Sequence, residues 1–177
     1  MNKFLLACVA LALPALAVAQ DMPLHEIIKA GETWQPVKAE MPAADKLPVT
    51  FNLKTVADRV AAPSCTALWH NGATVLVGDA GGKHVWAFRA DGAGGEKYLP
   101  LRLRKGDEKS EVSALCVDGQ QRVYAAYKEG IMAFDPTGRP CGLITSPGPV
   151  KALAFEGNVL YAQVGDQVYA RKMLATK

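Results

Sequence analysis

The sequence predicts an all-β protein, a partial β-propeller of about three four-stranded blades. Two observations point to this fold class. A strand-rich unit recurs three times, and Asx or Gly turns separate its β-branched and aromatic runs. The dipeptides Ala67-Leu68, Ala114-Leu115 and Ala152-Leu153 anchor the copies and lie 47 and then 38 residues apart. Propeller blades repeat every ~40–45 residues, so this spacing favours blades over other all-β units.

Each copy contains three short apolar strands, and a fourth strand can follow. The clearest copy covers residues 111–138, an earlier copy covers 65–92 and a later copy covers 150–171. Residues 97–103 and 141–145 are predicted as the outer strands of the first and second blades. The last copy lacks an outer strand. The alternating segment 49–55 reads as an unassigned strand, which could fill that position within the chain or across to a partner.

The length of 177 residues is enough for one domain, and an apolar content of 50% is enough for a packed core. The formal net charge is +3, and most basic residues are scattered. The one basic cluster, at 102–105, is followed at once by Asp107 and Glu108. This pattern indicates a solvated loop and argues against a nucleic-acid partner.

Residues 1–19 resemble a secretory signal peptide. Lys3 precedes an apolar run at 4–13 that is too short to span a bilayer, and small residues follow at 17–19. A lipoprotein signal around Cys8 is the alternative, but Cys8 leaves too little apolar chain before it. We expect the mature chain to begin at Gln20 and the protein to be periplasmic or secreted, with no membrane span.

Residues 20–48 are predicted as an irregular N-terminal arm, because four prolines exclude long regular structure: Pro23, Pro36, Pro42 and Pro48. Within the arm, residues 24–29 are predicted to form one or two helical turns. The propeller domain then spans residues 49–177.

The mature chain would keep three cysteines, Cys65, Cys116 and Cys141, with no Cys-x-x-Cys spacing for zinc or covalent haem. In a blade, Cys116 falls on the innermost strand and Cys141 on the outermost. Three strand spacings separate them by roughly 14 Å, which is beyond disulfide reach. We expect mostly free, buried thiols.

Several motif-like residues have plain structural interpretations. Residues 78–83 are similar to a phosphate-binding loop, but they are one residue short and His84 replaces the Ser or Thr that binds magnesium, so we predict a β-turn. The histidines do not form a metal-ligand spacing: His25, His70 and His84. Trp69 and Trp86 are predicted to pack within the blade.

A set of short motifs in residues 110–174 forms a more specific pattern. They are Val117-Asp-Gly119, Arg122-Val-Tyr-Ala-Ala126, Phe134-Asp-Pro-Thr-Gly138, Leu153-Ala-Phe155 and Val159-Leu-Tyr161. In this order and spacing they resemble the C-terminal blades of the regucalcin-like senescence-marker-protein/gluconolactonase/luciferin-regenerating-enzyme family. Residues 24–28 and 34–37 are similar to the start of bacterial members, and residues 75–79 are similar to their first blade.

The resemblance implies a six-bladed propeller that holds one divalent metal, often calcium, and hydrolyses lactones or related esters. It also implies a Glu, two Asn and an Asp as ligands, with the Asp as base. Aligned position by position, this sequence has Ala61, Ser113 and Ala152 at three ligand positions. The central blades are missing between Leu103 and Glu111. We therefore predict no catalytic, cofactor-binding or metal residue, with calcium as a cofactor only if the enzyme alternative holds.

The favoured function is an exported, non-catalytic binding or assembly protein of gluconolactonase-like type. The first alternative is a metal-dependent lactonase or esterase with a relocated site, for which Glu111, Asp79 and Asn71 are weak candidate ligands converging on the channel end. The second alternative is an accessory subunit of a periplasmic redox enzyme, by analogy of fold alone.

Three blades cannot close a ring, so the sequence also raises the question of assembly. An open array is expected to leave an apolar blade face bare at each end. A homodimer would complete a six-bladed ring, and a different protein partner is the alternative.

Overall fold

The computed structural model describes residues 22–56 and 58–177. In this part of the chain, twelve strands form three four-stranded antiparallel sheets, which confirms the predicted all-β partial propeller. The strands are Gln35–Val37 (β1), Pro63–Trp69 (β2), Thr74–Asp79 (β3), His84–Arg89 (β4), Glu96–Pro100 (β5), Ala114–Val117 (β6), Val123–Tyr127 (β7), Gly130–Phe134 (β8), Pro140–Ile144 (β9), Val150–Glu156 (β10), Val159–Val164 (β11) and Gln167–Lys172 (β12).

Each sheet is one blade, and its strands follow one another from the inside outward. The first blade has the order β2-β3-β4-β5, the second β6-β7-β8-β9, and the third β10-β11-β12-β1. Strand β6 packs against both β2 and β10, so the first strand of every blade lines the central axis. The Ala-Leu anchors of the sequence repeat lie on these three inner strands.

The middle blade is buried on both faces. Every residue of β6, β7 and β8 is buried. One face packs on the first blade around Trp69 and Phe134, and the other packs on the third blade around Tyr124 and Phe155. Burial on both sides explains why these strands read as continuous apolar runs rather than as alternating ones.

The fourth strand of the last blade comes from the N-terminal arm, not from residues 49–55. Strand β1 pairs antiparallel with β12, with Gln35 opposite Ala170 and Val37 opposite Val168. The side-chain amide of Gln167 also donates to the Val37 carbonyl at 3.0 Å. The arm therefore belongs to the propeller, because its backbone satisfies the open edge of β12.

The prediction of a strand at 49–55 is wrong. Within this segment Asn52 accepts a hydrogen bond from the Lys54 N–H at 2.9 Å, which forms an Asx turn, and a 3-10 turn follows at Leu53–Val56. Phe51 and Val56 turn their side chains onto the first blade. There they join Val60 and cover the face that carries Phe88. We call residues 47–60 the cap.

The smaller sequence predictions agree in place and differ in length. Residues 24–29 contain a single 3-10 turn, Leu24–Glu26, and the outer strand of the first blade ends at Pro100 instead of residue 103. The predicted signal peptide and the cleavage before Gln20 lie outside the described residues. Within the described residues, no helix is long and apolar enough to cross a bilayer.

The cysteines lie where the blade register places them. Cys116 is on β6 and Cys141 on β9, the innermost and outermost strands of one blade. Cys65 is a half-buried free thiol on β2. Burial raises the pKa of the Cys65 thiol to about 11, and burial also raises the pKa of Cys116. Both thiols therefore stay protonated and pack as small apolar side chains.

Candidate binding site at the channel end

The central axis of the three blades is nearly filled. A gap of only about 30 Å³ remains between the inner strands and the arm, enough for one or two waters. Arm residues Ala43, Ala44 and Asp45 lie along this gap, and the Asp45 carboxylate pairs with the Lys177 ammonium at 3.3 Å. Ligand chemistry therefore has to take place at the rim of the axis rather than inside it.

Two serines join the inner strands at the end where those strands begin. Ser64 donates to the Val112 carbonyl at 2.6 Å, and Ser113 donates to the Val150 carbonyl at 2.6 Å. Each hydroxyl thus links the start of one blade to the start of the next. This pair of links was not predicted from the sequence, because the accepting carbonyls lie 48 and 37 residues further on and have no local signature.

The three aligned ligand positions lie at this same end of the axis but do not fit a calcium ion. Ala61 and Ala152 have no side-chain oxygen, and the Ser113 hydroxyl is directed at a backbone carbonyl. Calcium takes six to eight oxygen ligands in proteins. Within the described ranges, no group of three His, Cys, Asp or Glu side chains is arranged to hold a metal.

The three weak candidate ligands do not converge. Asn71 follows β2 in a 3-10 turn at the opposite end of the first blade from Asp79, because strand β3, about 17 Å long, runs from that turn to Asp79. Asp79 is buried, and its carboxylate accepts hydrogen bonds from the N–H groups of Ala61 and Ala62 at 3.3 and 2.9 Å. Glu111 is exposed at the starting end of β6.

Glu111 lies beside a cleft of about 480 Å³ that opens between the second and third blades. Its backbone has φ of 55°, an uncommon conformation for a residue other than glycine. Lys128 lies on the same cleft, but its ammonium already pairs with the Asp107 carboxylate at 2.8 Å. Among the described residues, the cleft therefore offers the Glu111 carboxylate, which forms no ion pair there, together with Ser146.

The remaining motif residues take structural positions. Residues 78–83 form the turn between β3 and β4, where the Gly82 N–H donates to the Asp79 carbonyl at 3.2 Å, so the predicted β-turn is confirmed. Trp69 is buried between the first two blades and donates to the Gln121 carbonyl at 2.7 Å. His70 stacks on the Trp69 indole at 3.8 Å.

Solved structures similar to this chain include a gluconolactonase, a luciferin-regenerating enzyme and regucalcin, the types of protein that the sequence motifs resemble. The chain is similar to a gluconolactonase from Xanthomonas campestris (19% identity, TM-score 0.53), covering 63% of this chain and 37% of that one. A luciferin-regenerating enzyme matches at 15% identity and TM-score 0.53, with 66% and 47% covered. Regucalcin, a calcium-binding protein from Agrobacterium tumefaciens, matches at 12% identity and TM-score 0.53, with 66% and 48% covered.

No protein-family model matches the sequence, and no curated protein matches it. The chain spans less than half the length of each of these three solved structures. At these identities the likeness shows the fold, and it confirms the resemblance inferred from the sequence motifs. The chain thus has a regucalcin-like, gluconolactonase-type propeller fold.

Proposed function

We propose that this protein is an exported, non-catalytic binding protein built on a gluconolactonase-like propeller fragment. One observation carries the proposal: at the channel end, the aligned positions Ala61, Ser113 and Ala152 provide no side-chain oxygen that is free to bind a metal. A metal with so few protein ligands would not be retained. The cleft beside Glu111 remains as a surface for a ligand or a partner.

The decisive experiment measures calcium binding and lactone hydrolysis on the mature chain. We expect isothermal titration calorimetry to show no specific calcium site. We also expect no turnover of a simple aldonolactone above the uncatalysed rate. Turnover that disappears with chelator and returns with calcium would overturn the proposal.

A companion variant tests whether the missing ligands alone explain the inactivity. We expect the triple change Ala61→Glu, Ser113→Asp and Ala152→Asn to give little activity. The fourth ligand of the family pattern belongs to the central blades, which have no counterpart between Leu103 and Glu111. Substantial calcium-dependent turnover by the triple variant would mean that the three-blade scaffold is sufficient.

A metal-dependent lactonase or esterase with a relocated site is the second candidate. The observation that favours it is Glu111, an exposed carboxylate with an uncommon backbone conformation beside the cleft of about 480 Å³. Under this alternative, Glu111→Gln would abolish chelator-sensitive turnover, while Glu156→Gln at the other end of β10 would leave it unchanged.

Export is the second part of the proposal and has its own test. The apolar run at 4–13 and the small residues at 17–19 support it. We expect the intact mass of exported protein to correspond to a chain beginning at Gln20. A mass that retains residues 1–19, or a lipidated Cys8, would contradict it.

We also propose that two copies can assemble into a six-bladed ring, with a condition that comes from the cap. Residues Phe51, Val56 and Val60 cover the outward face of the first blade, so this end is not bare. A second copy can dock there only if its last blade displaces the cap. Because β1 already completes the last blade, this assembly does not require strand exchange.

A further inference from the structure

A second cleft, of about 360 Å³, lies on the outward face of the first blade, between the cap and strands β3 to β5. This is the side of the blade that faces away from the middle blade, as the placement of Trp86 with Val75 and Val77 indicates. The cap covers one part of the face, and the cleft occupies the part nearer to Asp79 and His84. It is separate from the cleft beside Glu111.

The floor of the cleft is held in place by strand pairing. Trp86 on β4 and Lys97 on β5 are cross-strand partners, and the Lys97 ammonium lies 5.5 Å from the centre of the indole ring. The Trp86 Nε1–H donates to the Asp79 carboxylate at 3.2 Å, which fixes the ring. The Lys97 ammonium is therefore held at the cleft by its contact with the Trp86 ring, and both residues belong to paired strands rather than to a loop.

Three cations line the cleft: Arg59, Lys83 and Lys97. Within the described residues, none of the three forms an ion pair. One Nη of Arg59 donates to the Gly94 carbonyl, which anchors the guanidinium.

The cleft also contains two acids, and positive charge still exceeds negative charge. Asp79 contributes one negative charge, but its oxygens already accept hydrogen bonds from four neighbours: Ala61, Ala62, Gly81 and Trp86. Glu108 is the other acid on the cleft and is exposed. Three cations against two acids, one of them already committed, leave an attractive surface for an anion.

The pKa of the histidine in this cleft, His84, is lowered by burial and by a neighbouring cation. Burial lowers the pKa of His84, and the nearby Lys97 lowers it further, whereas Asp79 acts in the opposite direction. The imidazole is consequently neutral at pH 7 and is able to donate or accept a hydrogen bond. A polar neutral group beside three cations completes a set of donors suited to an anionic ligand.

We propose that this cleft binds a small oxyanion with two or more charges, of the class of organic di- and tricarboxylates or phosphate. The volume lies within the range of small-molecule sites. Arg59, Lys83 and Lys97 all line the cleft and can supply charge-assisted donors, which favours a compact ligand with several anionic groups. The assignment names a ligand class for the proposed binding role and rests on that role.

Calorimetry with citrate at low ionic strength tests the assignment. We expect saturable binding of citrate, and binding of inorganic phosphate at the same site would show that charge rather than the carbon skeleton is recognised. Lys97→Met and Lys83→Met should each weaken citrate binding at least tenfold. Raising the salt concentration should weaken it further, because exposed charges are screened.

The control is Lys172→Met, at the exposed end of strand β12 in the third blade, which should bind citrate as the wild type does. Thermal melts of all variants check that each one is folded. Absence of binding by both citrate and phosphate would overturn the assignment, as would equal loss in Lys172→Met or binding that is insensitive to salt. None of these results changes the calcium and lactone measurements, so a failure here is distinct from failure of the non-catalytic function.

Discussion

Aspartates at three turns use one hydrogen-bond pattern. Asp91, Asp118 and Asp135 each accept a hydrogen bond from the backbone N–H two residues further on, at 2.8–2.9 Å. This Asx turn reverses the chain without help from distant residues. It explains why the Asp-Gly and Asp-Pro-Thr-Gly segments of the sequence mark the strand boundaries correctly.

Asp135 makes a pH-dependent contribution to stability. Burial raises the pKa of Asp135, but hydrogen bonds from Arg139 and Thr137 lower it by more, so the net direction is downward. The ionised form is therefore favoured in the folded state. The stabilisation is present above the ordinary pKa near ~4, and it is lost as the pH falls through the lowered folded-state pKa.

We expect Asp135→Ala to lower the free energy of unfolding by about 1–2 kcal/mol at pH 7, since it removes buried acceptors from the turn. The difference from wild type should shrink as the pH falls through the lowered folded-state pKa of Asp135, because the wild-type carboxylate then becomes protonated. Urea unfolding at pH 7 and over a series of acidic pH values measures this. A difference that stays the same across the series would contradict the role assigned to the charge.

Arg122 and Asp118 form a buried ion pair at the turn between β6 and β7 in the second blade. The Arg122 Nε–H donates to the Asp118 carboxylate at 2.6 Å, and the Tyr124 hydroxyl donates to the same carboxylate at 2.9 Å. The Arg122 Nη2 atom is buried with no hydrogen-bond partner in the described part of the chain. The pair is thus only partly satisfied, and its integrity depends on both members.

Arg122→Met is expected to destabilise the protein by about 3 kcal/mol, because it leaves the Asp118 carboxylate buried without its counter-charge. Arg104→Met is the matched control. Arg104 pairs with Glu129 at 2.7 Å, but its side chain is 81% exposed, so its loss should cost less than about 1 kcal/mol. Similar losses in the two variants, measured by urea unfolding, would argue against a role for burial.

At the scale of elements, residues 35–60 have two separate tasks. Strand β1 completes the edge of the third blade, and the cap covers the outward face of the first blade. Between these two parts, Ala43 to Asp45 pass alongside the inner strands. One continuous stretch of chain therefore links the two ends of the blade array.

The cap should contribute strongly to stability through Phe51. Its ring packs edge-on against Phe88 at 6.2 Å, and the side chain is 8% exposed. We expect Phe51→Ala to lower the free energy of unfolding by about 3 kcal/mol. Leu53→Ala in the same segment, where the side chain is 42% exposed, should have little effect in the same denaturation experiment. A larger loss from Leu53→Ala would mean that the cap packs differently.

At the scale of the whole molecule, the two ends of the blade array are unequal. The first blade is covered by the cap, and the third blade has its edge completed by β1 but no fourth blade beyond it within the described residues. A six-bladed pair would replace the cap by the third blade of a second copy. Docking of the cap and assembly of the proposed ring would therefore compete for one surface.

This competition predicts the effect of loosening the cap. Light scattering over a range of concentrations should find Phe51→Ala dimers at lower protein concentration than wild-type dimers, because less free energy is needed to displace the cap. Leu53→Ala should behave as wild type does. If Phe51→Ala remains monomeric, or forms aggregates of undefined size, the six-bladed pair is contradicted.

Local patterns in the sequence determined most of the strands and turns of the blades. The Ala-Leu anchors, the Asp turns and the positions of Cys116 and Cys141 follow from the two-residue period of a strand and from turn chemistry. Such features depend on neighbours within a few residues. For this reason the fold class follows from the sequence alone, whereas Ala61, Ser113 and Ala152 are identified as former ligand positions only through the family resemblance.

Only the tertiary structure showed which segments cover the first blade and complete the third blade. The pairing of β1 with β12 joins residues about 130 positions apart, and any short extended segment could have satisfied that edge. Residues 49–55 alternate as a strand does, yet the Asn52 turn and the apolar face around Phe88 draw them into a cap. The cleft lined by cations also depends on the tertiary structure, because Arg59 and Lys97 line one cleft only once the cap has docked on the blade.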